Sequence, residues 1–274
     1  MNNLHRELAP ISDAAWEQIE QEASRTLRRY LAARRVVDVS EAKGATLAAV
    51  GTGHTQPIKS PAEGVEAVRR VANAVVELRV PFTLTRGAID DVERGSEDSD
   101  WSPLKEAARK IAYAENRAVF DGYAAAGIGG IRSGASNDPV ALPPAPMGYP
   151  AVVARAVDRL RLAGVEGPYR LVLGDGPFTA ISGGSEEGYP VLEHIRRLVE
   201  GDIVWAPGID GGLVLTARGG DFELSLGQDL SIGYLSHTDK VVELYLQESF
   251  TFRLLTTEAA VALPARENED HPGE

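Results

Sequence analysis

Cysteine is absent from all 274 residues, which excludes disulfide scaffolds, thiolate-held zinc or iron–sulfur sites and cysteine nucleophiles. Stability then has to come from packing or from assembly. No apolar run approaches the roughly 18 residues a membrane-spanning helix requires, and the opening Met1-Asn2-Asn3-Leu4-His5-Arg6-Glu7 lacks the apolar stretch of a secretory leader. No membrane is expected as a partner, and the cytoplasm is the expected compartment. Positive charge is also short: 28 Lys and Arg against 40 Asp and Glu give −12, a balance that disfavours nucleic acid as a partner. The basic run Arg25, Arg28, Arg29, Arg34 and Arg35 reads as a solvated helix face or a subunit contact. Catalytic signatures are missing as well, with no HExxH, nucleophile elbow or Walker A pattern. Gly174-Asp175-Gly176 and Gly127-Ile128-Gly129-Gly130 lack the third glycine of a dinucleotide fingerprint and read as turns. His5, His54, His194, His237 and His271 stand apart from one another, so no metal site is expected.

What is there is an ordinary globular composition, 43% apolar and 25% charged, long enough for one large domain or two small ones. Ser12 can cap a helix with Asp13 in its first turn and Ile11 stapled onto Trp16. Trp16, Ile19, Ala23, Leu27, Tyr30 and Leu31 then recur near the 3.6-residue period and make one apolar stripe. That stripe can pack on its own domain or form half of a groove for a partner peptide. Residues 44–74 hold little apolar material and are broken by Gly51, Gly53, Pro57, Pro61 and Gly64, which reads as a loop or an extended arm completed by neighbouring subunits. A strand is predicted over Leu78 to Leu84. The longest helix follows, with Ser102 as its cap, Pro103 at its first position, and Leu104, Ala108, Ile111, Ala118, Val119 and Gly122 on one face.

Glycine and proline concentrate between Gly127 and Pro150 and mark a boundary. Beyond it, helices over 150–163 and 190–200 alternate with strands over Tyr169 to Leu173, Ile203 to Trp205 and Leu213 to Thr216, an α/β unit. Strands over 222–226, 241–247, 250–255 and 259–263 are expected to pair with early segments and close the first unit around the inserted one. The segment from Pro264 carries one Arg against four acids and is expected to be disordered. One polar loop, Ser182-Gly183-Gly184-Ser185-Glu186-Glu187-Gly188-Tyr189, sets two acids among three glycines. It reads as an exposed connection or, repeated around a symmetry axis, as a ring of carboxylates that draws cations.

Several segments together carry a resemblance. Leu8-Ala9-Pro10, Arg34-Arg35-Val36-Val37-Asp38-Val39, Asp91-Val92-Glu93-Arg94-Gly95, Glu166-Gly167-Pro168-Tyr169, Arg218-Gly219-Gly220-Asp221-Phe222 and Gly227-Gln228-Asp229-Leu230-Ser231-Ile232-Gly233-Tyr234 resemble the encapsulin shell proteins, earlier named for the bacteriocin linocin, in order from Asn2 to about Leu263. The resemblance implies the α+β fold of the Hong Kong 97 phage capsid protein. Residues 1–43, 75–130 and 225–263 would form its peripheral domain, 44–74 its E-loop, 131–224 its inserted axial domain and 264–274 the acidic tail. It further implies self-assembly of about sixty or more copies into an icosahedral compartment. The enclosed cargo would be a ferritin-like ferroxidase or a dye-decolorising peroxidase, held by its C-terminal targeting peptide. The shell would not itself be an enzyme.

By position, the family's cargo groove falls on Leu27, Arg34, Val37, Asp38, Asp229, Leu230, Ile232 and Tyr234, and its five-fold pore loop on Ser182 to Tyr189. An apolar floor with Arg and Asp at its edges suits a short apolar peptide with polar ends. Some relatives hold flavin beside a tryptophan that would fall near Gly87, so no flavin is expected here and no cofactor is assigned. A protein enzyme or a secreted bacteriocin or protease is the alternative. The missing catalytic motif counts against the first and the missing leader against the second.

Overall fold

The computed structural model describes residues 3–186 and 189–265, and of Glu186 and Tyr189 it describes the backbone alone. Its centre is one long strand, Val241–Leu254. Along one edge this strand pairs antiparallel with Val76–Thr85. Along the other it pairs with Ser231–His237 and then with Phe222–Leu226, beside which Asp38–Val39 adds a short parallel strand. The sequence pattern predicts a break near Glu248 and Ser249, two polar residues in an apolar run. The strand instead continues with both residues buried: Gln228 N–H donates to Ser249 Oγ at 2.7 Å, and Glu248 meets Arg34 through Oε2.

Two helices cover this sheet. The N-terminal helix Asp13–Tyr30 begins as expected, with Ser12 Oγ accepting the Ala15 N–H at 3.3 Å. It packs on the spine helix Ser102–Phe120, which lies across the strands Val76–Thr85 and Val241–Leu254. The spine helix corrects one expectation. Ser102 is its first helical residue rather than its cap, Trp101 takes the cap position, and Asp100 Oδ1 accepts the Ser102 N–H at 2.9 Å. Asp100 thus places negative charge at the positive end of the helix. Between helices and sheet lies a core of Ile19, Leu27, Leu104, Ile111, Leu84, Leu244 and Leu246, all buried.

A second, four-stranded sheet runs in the order Glu200–Trp205, Tyr169–Leu173, Gly212–Thr216, Ala260–Leu263, with the first pair parallel and the others antiparallel. Helices Tyr149–Leu162 and Val191–Val199 pack together over it. Alternate residues of its strands face opposite ways. Leu171, Leu173 and Val214 join the helices, while Val172, Leu213 and Leu215 meet Phe120, Phe250 and Phe252 of the first unit. Two strands depart from the expected partition. Ala260–Leu263, assigned with 225–263 to the first unit, pairs with Gly212–Thr216 because Val261 and Leu263 complete the inserted core. Phe222–Leu226 joins the five-stranded sheet beside Asp38–Val39, as its expected pairing with early segments requires, so the boundary drawn at 224 falls inside it. A further helix, Asp175–Gly183, follows Gly174 where turns alone were read. The glycine there is required, since a Cβ would sit 2.1 Å from the Ile209 carbonyl oxygen.

Residues 44–74 form neither core. Ala49–Pro57 and Val68–Ala74 pair as a separate antiparallel hairpin whose residues are largely exposed, with Val68 at 60% and Ile58 at 50%. The acidic segment from Arg266 to Glu274 lies outside the described residues.

Candidate functional site

A groove of about 470 Å³ opens between the N-terminal helix and the stretch after Gly227. The helical period sets Ala23, Leu27 and Leu31 along one wall, and strand pairing sets Ile232 directly opposite Leu246 on the other. All five are at most 9% exposed, so the floor is dry and already packed. Leu4 closes one end, donating nothing from its side chain but accepting the Tyr234 N–H on its carbonyl at 2.8 Å. The rim is charged. Arg6 pairs with Glu20 at 2.6 Å and Arg34 with Asp229 at 2.7 Å, while Arg28 has no carboxylate partner among the described residues. A larger cleft, about 650 Å³, lies on the other side of the same helix, but Glu22, Arg25, Lys105, Glu106 and Arg109 give it charged walls without an apolar floor.

Arg34 anchors the rim to the interior. Its Nε donates to Glu115 Oε2 at 2.7 Å, and its Nη2 also reaches Glu248 Oε2 at 3.0 Å. Glu115 and Glu248 are fully buried. Burial works against the arginine charge, but the two carboxylates and Asp229 outweigh it and hold the Arg34 pKa above its ordinary value. Burial and the neighbouring Glu115 push Glu248 well above its ordinary value, despite Arg34.

Of the residues assigned to the groove, the structure brings together Leu27, Arg34, Asp229, Leu230 and Ile232. It places three elsewhere. Val37 packs against the core between the two sheets. Asp38 Oδ2 accepts the Gly220 N–H at 2.6 Å, which ties the Arg34 to Val39 segment to the turn at Gly219 and Gly220, both in the left-handed region. Tyr234 packs beside the helix core, and its hydroxyl meets His237 Nδ1 at 2.6 Å. Ala23 and Leu31 already belonged to the apolar stripe, and the register that sets Leu246 across from Ile232 could have added it. Glu115 and Glu248 gave no signal, because nothing local marks a carboxylate as buried.

In the polar loop, Ser185–Glu186 and Tyr189–Pro190 pair as a short hairpin after the Asp175–Gly183 helix, with Ser182 and Gly183 exposed at the helix end. Glu187 and Gly188 lie outside the described residues. Among the described residues no three of His, Asp and Glu gather closely enough to hold a metal ion, and no helix is long and apolar enough to cross a membrane.

The family model Linocin_M18, described as an encapsulating protein for peroxidase, matches residues 1–251. The type 1 encapsulin shell protein of Mycolicibacterium paratuberculosis is 58% identical over 263 residues, covering 96% of this chain and 99% of the relative. The shell protein of Rhodococcus erythropolis is 57% identical with 96% and 100% covered, and that of Brevibacterium linens 52% identical with 96% and 99% covered. Among solved structures, the virus-like particle of Pyrococcus furiosus superposes with a TM-score of 0.65 at 15% identity, over 90% of this chain and 98% of that one. A chain of Gordonia phage Cozz gives 0.56 at 12% identity, with 87% of each chain covered. These distant likenesses establish the Hong Kong 97 capsid fold. The close relatives establish the lineage: the chain belongs to the type 1 encapsulin shell protein family.

Proposed function

We propose that this chain builds the wall of a closed protein compartment in the cytoplasm and holds an enclosed enzyme through the groove between its N-terminal helix and Ile232. The observation that carries the reading is the groove itself. It has a dry floor of Leu27, Leu31, Ile232 and Leu246 with a rim that alternates Arg and acid, a surface suited to a short apolar segment with polar ends. The exposed E-loop supports assembly, because a hairpin with this little apolar cover needs a neighbouring subunit to satisfy it. The chain's role in this reading is structural, and it needs no cofactor. The enclosed enzyme is a dye-decolorising peroxidase or a ferritin-like ferroxidase held by its C-terminal peptide, and small ions enter through the loop Ser182 to Tyr189 where subunits meet.

The test is co-expression with a fluorescent protein that carries the C-terminal segment of the enzyme encoded beside this gene. Wild type should form hollow particles in negative stain that retain fluorescence on a sizing column. Ile232→Asp, which sets an unpaired charge in the floor, should give intact but dark particles. Equal loading of both would overturn the groove, and a wild-type chain that stays monomeric would overturn the shell.

A further inference from the structure

Glu115 from the spine helix and Glu248 from the central strand face each other across Arg34, both without exposed surface. One guanidinium nitrogen, Nη2, serves an oxygen of each. The remaining oxygen of each, Oε1, has no hydrogen-bond partner. Two buried acceptors without a donor are costly, and two ionised carboxylates side by side away from water more so. Glu115 Oε2 at 2.7 Å and Glu248 Oε2 at 3.0 Å share the same Nη2, which makes the two carboxyls neighbours, and a single proton between them relieves the repulsion. One then becomes a donor and the other its acceptor.

We propose that Glu115 and Glu248 share one exchangeable proton, a buried acid pair that Arg34 links to Asp229 at the rim of the groove. Among the described residues, the ion pairs of Glu115 and Glu248 are with Arg34 alone. The residue opposite Glu248 on the strand Val76–Thr85 is Leu78, and its charged neighbours are engaged elsewhere: Arg79 with Gln247 at 2.6 Å and with Glu77 at 3.4 Å. Asp229 reaches Arg34 through Nη1, a different nitrogen from the one that bridges the two glutamates. With the proton in place, the guanidinium faces one buried carboxylate and has Nη1 free for Asp229. When the proton leaves to solvent, the same guanidinium faces two buried carboxylates, while Nη1, which neither glutamate uses, keeps its bond to Asp229. The pair is therefore a buried proton site tied through Arg34 to Asp229 at the rim. It stands whether or not the groove receives a peptide.

Infrared difference spectra of the intact protein across a pH titration test this directly, through the carbonyl stretch that only a protonated carboxylic acid shows. Wild type should keep such a band at neutral pH, where exposed carboxyls have lost theirs, and lose it as pH rises further. Glu248→Gln, whose amide replaces the acid's donor, and Glu115→Gln should each abolish the band. The wild-type melting temperature should fall as the proton is lost, and that of Glu248→Gln should stay level over the same range. Absence of the band from wild type at neutral pH overturns the proposal without any variant. Persistence of the band in both variants assigns it to another group and overturns it too.

Discussion

Asn116 Oδ1 accepts the backbone N–H of Ala32 at 2.9 Å, and that of Ala33 at 3.0 Å. The same side chain donates through Nδ2 to the carbonyls of Tyr30 at 2.8 Å and Pro207 at 3.1 Å. A fully buried amide on the spine helix therefore ends the N-terminal helix and fastens a loop of the inserted unit to it. Its four bonds fix where the chain turns, and so where Arg34 emerges under the groove.

Asn116→Ala should accordingly destabilise the subunit by about 3 kcal/mol, because backbone groups of four residues lose buried partners. Chemical denaturation of the unassembled chain measures this. A loss below about 1 kcal/mol would mean that water takes over the bonds.

Deleting Thr46 to Lys59 should abolish particles yet leave a soluble, folded subunit. The hairpin contributes nothing to the three buried clusters, so its removal spares them. Particles of normal size from the deleted chain would show that the arm has no part in closing the shell.

Acid should expose a different weakness. Arg218 holds Asp221 by two bonds, Nε to Oδ2 at 2.9 Å and Nη2 to Oδ1 at 2.8 Å. Burial opposes ionisation, but the Arg218 bonds prevail and lower the Asp221 pKa. A lowered carboxyl contributes stability that is complete above its unfolded value and is lost as pH falls through the folded one. Melting temperatures measured between about pH 5 and pH 2 should drop more steeply for wild type than for Asp221→Asn. Parallel curves would show that the pair carries no part of acid sensitivity.

Replacing both Glu186 and Glu187 by Gln should slow cation entry at low salt and matter less at high salt. If about five loops surround an axis, they gather about ten carboxylates whose field salt screens. With a ferroxidase enclosed, stopped-flow oxidation of ferrous ion is the measurement. Equal low-salt rates would reduce the loop to a connection or move the entry elsewhere.

The elements most legible from sequence were those whose signal is local. Ser12 announces its helix because a capping oxygen acts within three residues, and the stripe from Ile19 to Leu31 needs only the helical period. The arm was visible through its poverty of apolar residues, and residues 169–216 through the alternation of strand and helix. The break read at Glu248 was not there, because a polar residue in a strand looks the same whether it faces water or a buried arginine. Val37, Asp38 and Tyr234 stand close in sequence to residues that line the groove, yet the turn after Ala33 sends Val37 into one core and Asp38 to Gly220.

What the sequence determined alone is the inventory: helices from caps and periods, a boundary between Gly127 and Pro150, an exposed arm, and a family pattern distributed along the chain. Tertiary structure alone decided that Ala260–Leu263 closes the inserted sheet and that Glu115, Glu248 and Asp229 converge on Arg34. The physical reason is range. Capping and periodicity act within a turn or two, whereas Arg34 meets carboxylates brought from the spine helix, the central strand and the loop after Gly227, and their burial exists only once those elements have packed.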